Sequence, residues 1–100
     1  MDRFQAAVEE AIGSIPEPFQ VYLANTQFVI EKRSPEGNLG LYEGGTAMEF
    51  GEGLPERITV YKESHEESCD TWEELVDEVR RTILHEVGHH FGMEEDELPY

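Results

Sequence analysis

The sequence predicts an α+β fold in which a small three- or four-stranded sheet packs on an N-terminal helix and a long C-terminal helix. Three observations carry this expectation. The first fifteen residues repeat apolar side chains at helical spacing. The middle of the chain holds short runs of β-branched and aromatic residues separated by turn formers. The stretch from Thr71 to Phe91 keeps one apolar stripe along its whole length.

Phe4, Val8, Ala11, Ile12 and Ile15 recur three to four residues apart after Asp2, a candidate N-cap. A first amphipathic helix is therefore expected from about Arg3 to Ser14, ended by Pro16 and Pro18. Pro18 suits a helix's first turn, and Phe19 with Leu23 makes an i, i+4 pair, so a short helix closing near Asn25 is preferred over a strand. Gln27 to Arg33 reads as the first strand and stops at the turn cluster Ser34-Pro35-Glu36-Gly37-Asn38. Leu39 to Glu43 reads as a second, weaker strand whose edge offers itself to an extended peptide or simply ends the sheet. Residues 44–55, with four glycines, read as a loop, and Arg57 to Lys62 alternates as a third strand. The acidic run Glu63 to Ser68, with His65 inside it, is expected to be a polar surface loop. Thr71 and Glu74 then fit a capping box that opens the long helix.

On that helix Trp72, Val76, Val79, Ile83 and Val87 form the apolar stripe, while Glu78, Thr82, His85 and His89 follow one another on a roughly opposite face. The second set ends in His85-Glu86-Val87-Gly88-His89-His90-Phe91-Gly92-Met93-Glu94-Glu95, which contains HExxH. Two imidazoles four residues apart on a helix are separated by about 6 Å of axial rise, which lets both nitrogens converge on one ion at roughly 2.0–2.1 Å. Glu86 stands beside them as a candidate general base for metal-assisted hydrolysis. Gly92 can end the helix in a left-handed turn, after which Glu95 can return to give a third, oxygen ligand. Glu94, Asp96 and Glu97 compete for the same position. Three protein ligands leave a place for water, the pattern of a catalytic zinc site. His90 falls near the apolar stripe and is expected to face the packed side. Tyr42 and Tyr100 are the candidates for holding an oxyanion, provided the fold brings either one close.

One hundred residues fit one domain spanning 1–100. Seven basic against 23 acidic residues give a formal charge of −16, which opposes binding to nucleic acid or anionic lipid and favours cationic partners or a solvating surface role. The single cysteine, Cys69, excludes an internal disulfide, and no segment has the apolar length of a signal core or membrane span. A cytoplasmic location is the corresponding expectation. Oligomeric state is not indicated.

Together the N-terminal helix, the small sheet and the helix carrying HExxHHFGxxE resemble the zincin-like metallopeptidases, most closely the small bacterial single-domain proteins described as minimal zincins. The segments Leu39-Gly40-Leu41-Tyr42-Glu43-Gly44 and Leu54-Pro55-Glu56-Arg57-Ile58-Thr59-Val60-Tyr61 look like that family's sheet region. The resemblance implies zinc as cofactor, His85, His89 and Glu95 as its ligands, Glu86 as general base, and a peptide or protein as substrate. The larger metzincins place His or Asp where Glu95 stands. They also have a methionine turn well after the motif, for which Met93 is too close. Two other readings remain at this stage. One is a zinc-binding interaction module with little hydrolytic activity. The other is a small metal-dependent endoribonuclease with an HxxxHxxxxxH pattern, against which the charge and the glutamate after His85 both count.

Overall fold

The computed structural model describes residues 3–24, 26–43 and 56–93; Asp2, Asn25 and the glycine-rich segment 44–55 lie outside them. In chain order the elements are α1 (Arg3–Gly13), α2 (Glu17–Gln20), β1 (Thr26–Glu31), β2 (Gly40–Glu43), β3 (Glu56–Tyr61), α3 (Lys62–Ser68) and α4 (Trp72–His90). This is an α+β fold, and among the described residues its sheet has three strands in the order β1-β3-β2. β1 runs parallel to β3, whereas β2 pairs antiparallel on the other side and forms an edge.

Strand registry aligns Phe28, Ile58 and Tyr42 across the sheet, and Ile30, Val60 and Gly40 two residues on. Because side chains alternate along a strand, these six share the face turned toward the helices. The core there is built from Phe4, Ala7, Val8 and Ala11 of α1 and Leu75, Val76, Val79, Ile83 and Val87 of α4, closed by Ile58 and Val60. Each large aliphatic side chain buried this way contributes roughly 1.5–3 kcal/mol. Gln20 fastens α2 to the end of α1 by donating to the carbonyls of Ile12 and Ile15, both at 2.9 Å. Trp72 is held more loosely at the helix margin, where its indole N–H donates to Glu10 at 2.9 Å and Arg3 lies over the ring.

The long helix begins and ends as the sequence leads one to expect. Glu74 N–H donates to Thr71 Oγ1 at 3.1 Å while Thr71 N–H donates to Glu74 Oε1 at 3.0 Å, the reciprocal pair of a capping box. At the other end Gly92 takes φ +68°, Met93 N–H reaches Gly88 O at 2.8 Å and Gly92 N–H reaches His89 O at 3.3 Å. These two bonds form a Schellman closure, for which a left-handed glycine is the natural residue. Among the described residues no helix is long and apolar enough to cross a membrane.

The expectation for the acidic run is overturned. The run from Lys62 to Ser68 is a helix, not a surface loop, and His65 is completely buried within it. A two-turn helix with one inward-facing residue carries no apolar periodicity, so the polar composition concealed it. The ring of His65 lies against Phe4 and is held at both nitrogens, Nδ1 by Tyr61 O and Nε2 by Thr82 Oγ1, each at 2.8 Å. A carbonyl can only accept, so Nδ1 carries the proton; in the neutral ring Nε2 then accepts from the Thr82 hydroxyl. Cys69 is half-buried and makes no pair with this histidine, whose nitrogens are both engaged elsewhere.

Burial pushes the pKa of His65 below its ordinary value, against smaller opposing effects from the Tyr61 carbonyl and the Glu78 charge. The folded ring therefore resists a proton that the unfolded chain accepts below about pH 6.5. Its contribution to stability is present above that pH and declines as pH falls toward the lowered folded value, at most about 1.4 kcal/mol per pH unit. Urea unfolding from about pH 7.5 to about pH 5 should show this decline in the native protein and a smaller one in His65→Gln. Equal declines in the two proteins would assign the acid sensitivity to other groups.

Candidate functional site

Four residues per step on α4 brings His85 and His89 onto one face, with ring centroids 4.1 Å apart and planes inclined at 54°. His85 is half-buried and His89 exposed, so the pair spans the boundary between helix packing and solvent. Glu86, half-buried, turns beside them. All three line a cleft of about 590 Å³ between α4 and the start of β2, whose opposite wall includes Gly40 and Leu41.

The edge strand reaches Glu86 through its main chain. Tyr61 N–H donates to Leu39 O at 3.0 Å, so in this antiparallel pair Leu39 and Leu41 use their peptide groups toward β3. Gly40 and Tyr42 consequently turn theirs outward. Tyr42 N–H donates to Glu86 Oε1 at 3.1 Å, which fixes one carboxylate oxygen on the strand. No sequence pattern announces a backbone contact of this kind.

Gly40 is what lets β2 come so close. A Cβ at this position would lie 2.7 Å from Thr82 Cγ2, 3.2 Å from Thr59 O and 3.5 Å from Glu86 Cγ. A glycine inside a β-run is the sequence signal for such a close approach.

Tyr42 also ties the strand to the end of the helix. Its ring stacks on His90 with centroids 4.0 Å apart, and its hydroxyl donates to Glu56 Oε2 at 2.8 Å. His90 Nε2 stands 3.8 Å from Glu56 Oε1. Burial, reinforced by the Glu56 carboxylate, pushes the Tyr42 phenol up to about 12. This hydroxyl's proton is engaged with Glu56, so Tyr42 serves the site here through its N–H and its ring, not as an oxyanion donor. His90 leaves the His85/His89 face as expected, yet it does not enter the core; its side chain packs on Tyr42 and stays 24% exposed.

Glu95, its competitors Glu94, Asp96 and Glu97, and Tyr100 lie outside the described residues. Among the described residues no group of three or more His, Cys, Asp or Glu is placed to hold a metal ion. The donors that are described suit zinc, which takes imidazole nitrogen and carboxylate oxygen. The two imidazoles lie side by side on one helix face and line a cleft.

The family model for zincin-like metallopeptidases matches residues 19–100, and the chain belongs to that family. Among solved structures it is similar to a conserved hypothetical protein from Thermus thermophilus, at 31% identity and a TM-score of 0.57, covering 89% of this chain and 91% of that one. No curated protein matches the sequence.

The strand-to-helix contact gives a direct test. Gly40→Ala should lower stability by about 1–3 kcal/mol in urea unfolding, because the new methyl meets both the Thr82 methyl and the Thr59 carbonyl. Adding Thr82→Ser, which removes that methyl, should recover part of the loss. Full stability of Gly40→Ala alone would mean that the strand does not need the close approach.

Proposed function

We propose that this chain is a zinc-dependent metallopeptidase in which His85, His89 and Glu95 hold the ion and Glu86 is the general base. The observation that carries the reading is the setting of Glu86. Its carboxylate is anchored at Oε1 by the Tyr42 N–H, next to two neighbouring imidazoles, in the wall of a cleft. A group used only to solvate the helix would not be held by a strand's main chain.

Zinc, when bound, supplies Lewis acidity, acidifying water and polarising the carbonyl of a scissile amide. The protein's own residues do the rest. With Oε1 fixed, Glu86 presents Oε2 to the attacking water, takes its proton, and later delivers that proton to the departing amine. The hydrogen bond from Tyr42 occupies one carboxylate oxygen and leaves the other free to face the cleft. His85 and His89 would bind the ion through unprotonated ring nitrogens, as zinc–imidazole ligation requires. The formal charge of −16 favours peptides with basic residues over polyanions.

Glu86→Gln should keep the zinc content of the native protein while peptide turnover falls by about 10²- to 10⁴-fold. His85→Ala and His89→Ala should each lose zinc affinity beyond the roughly 10- to 100-fold that loss of an outer partner costs, and Glu95→Ala should do the same. Metal content by atomic absorption and cleavage of a mixed peptide pool read both properties. Undiminished turnover in Glu86→Gln, or a zinc-loaded native protein that cleaves RNA and no peptide, would contradict the proposal.

A further inference from the structure

The buried histidine of α3 has no part in the chemistry just described, yet it is joined to the cleft by a short chain of contacts. Thr82 stands three residues before His85 and four before Glu86, on the helix face that turns toward the site. Its hydroxyl is engaged with His65 Nε2 at 2.8 Å, while its methyl points at the space where Gly40 lacks a side chain. Oγ1 and Cγ2 sit on the same tetrahedral carbon, so fixing one fixes the other. Without this bond, a helical threonine divides itself between two rotamers, one of them bonded back to its own helix carbonyls. His65 selects one of them.

The other end of the chain closes on the same strand. Tyr61 offers its carbonyl to His65 Nδ1 at 2.8 Å and its N–H to Leu39 O at 3.0 Å, so the ring and the edge strand share one anchor. Going around, Tyr61 holds His65, His65 holds the Thr82 hydroxyl, the Thr82 methyl bears on Gly40, and the chain returns from Gly40 to Leu39, which accepts from Tyr61. Glu86 meets the Tyr42 N–H just beyond that closed circuit, at 3.1 Å. A hydrogen bond tolerates only a few tenths of an ångström before it weakens, so the spacing between strand and helix decides whether this one forms.

We infer that His65 is a positioning residue for the Glu86 carboxylate: through Thr82 it sets the spacing at which the edge strand's N–H captures Oε1. The inference rests on the reading of Glu86 as general base for its functional meaning, though not for its geometry. His65 touches neither substrate nor reacting atoms. Its neutral ring offers one donor and one acceptor, the combination that a glutamine amide also supplies and a methionine does not.

The amide proton of Tyr42 reports the contact directly, because its chemical shift depends on the charge and distance of its acceptor. In the full-length, uniformly ¹⁵N-labelled protein, Glu86→Gln defines the shift of that amide when the carboxylate charge is removed. His65→Met should carry the Tyr42 amide more than half of the way to that position, whereas His65→Gln should leave it near the native one. Thr82→Val, which keeps the volume but loses the hydroxyl, should move it in the same direction as His65→Met, and decides the matter if the methionine variant does not fold. A folded His65→Met or Thr82→Val with the Tyr42 amide at its native position overturns the inference. So does an equal displacement in His65→Gln and His65→Met, since that would be the response of packing alone. These shifts do not depend on turnover, so the predicted shifts in a protein that the peptide assay finds inactive would defeat the peptidase reading and leave the positioning role standing.

Discussion

A Cβ on residue 40 would lie 2.7 Å from the Thr82 methyl, a distance at which one of the two must shift, so the close approach of β2 to α4 relies on residue 40 being glycine. The rest of the site depends on that proximity. It brings the outward N–H of Tyr42 to Glu86, places the Tyr42 ring on His90, and narrows the space between strand and helix to a cleft lined by His85 and His89. A wider gap would leave the strand's edge groups to water and Glu86 to a choice of rotamers. Catalytic carboxylates work best when their orientation is settled before the substrate arrives.

The same helix has to serve two environments. Its inner stripe gives the core Leu75, Val79, Ile83, Leu84 and Val87, each at most 1% exposed, so its rotation about its own axis is settled by packing. That rotation in turn decides where His85 and His89 point. Precision at the histidine face is thus inherited from apolar burial on the opposite one, and the Schellman turn at Gly92 releases the chain just after the second histidine. Polar groups inside the fold follow the same economy: among the described residues, no buried side-chain nitrogen or oxygen lacks a hydrogen-bond partner.

Much of this arrangement was legible in the sequence, for reasons that can be stated residue by residue. The capping box at Thr71, the apolar stripe of α4, the left-handed Gly92 and the shared face of His85 and His89 all follow from local periodicity and the stereochemistry of helix ends. The strands lie within one or two residues of the runs the sequence marks, because β-branched runs broken by turn formers have few other uses. What escaped were interactions set by tertiary approach. His65 looked like a surface residue because its neighbours Glu63, Ser64, Glu66 and Glu67 are polar, and its burial is decided by Phe4 and Thr82, which are remote in the chain. The grip of Tyr42 on Glu86 uses a main-chain group that every residue except proline possesses. The helical period turns His90 off the His85/His89 face, but whether it meets core or solvent depends on Tyr42 and Glu56.

The central claim is that a strand N–H holds the base while the two helix imidazoles hold the metal. A crystal structure of the full-length protein with zinc tests it most directly. The account predicts zinc bound by His85 Nε2, His89 Nε2 and one carboxylate from residues 94–97, an open fourth position facing the cleft, and Glu86 uncoordinated with Oε1 still bonded to Tyr42 N–H. Zinc enclosed by four protein ligands, or coordinated by Glu86 with the Tyr42 bond broken, would contradict it.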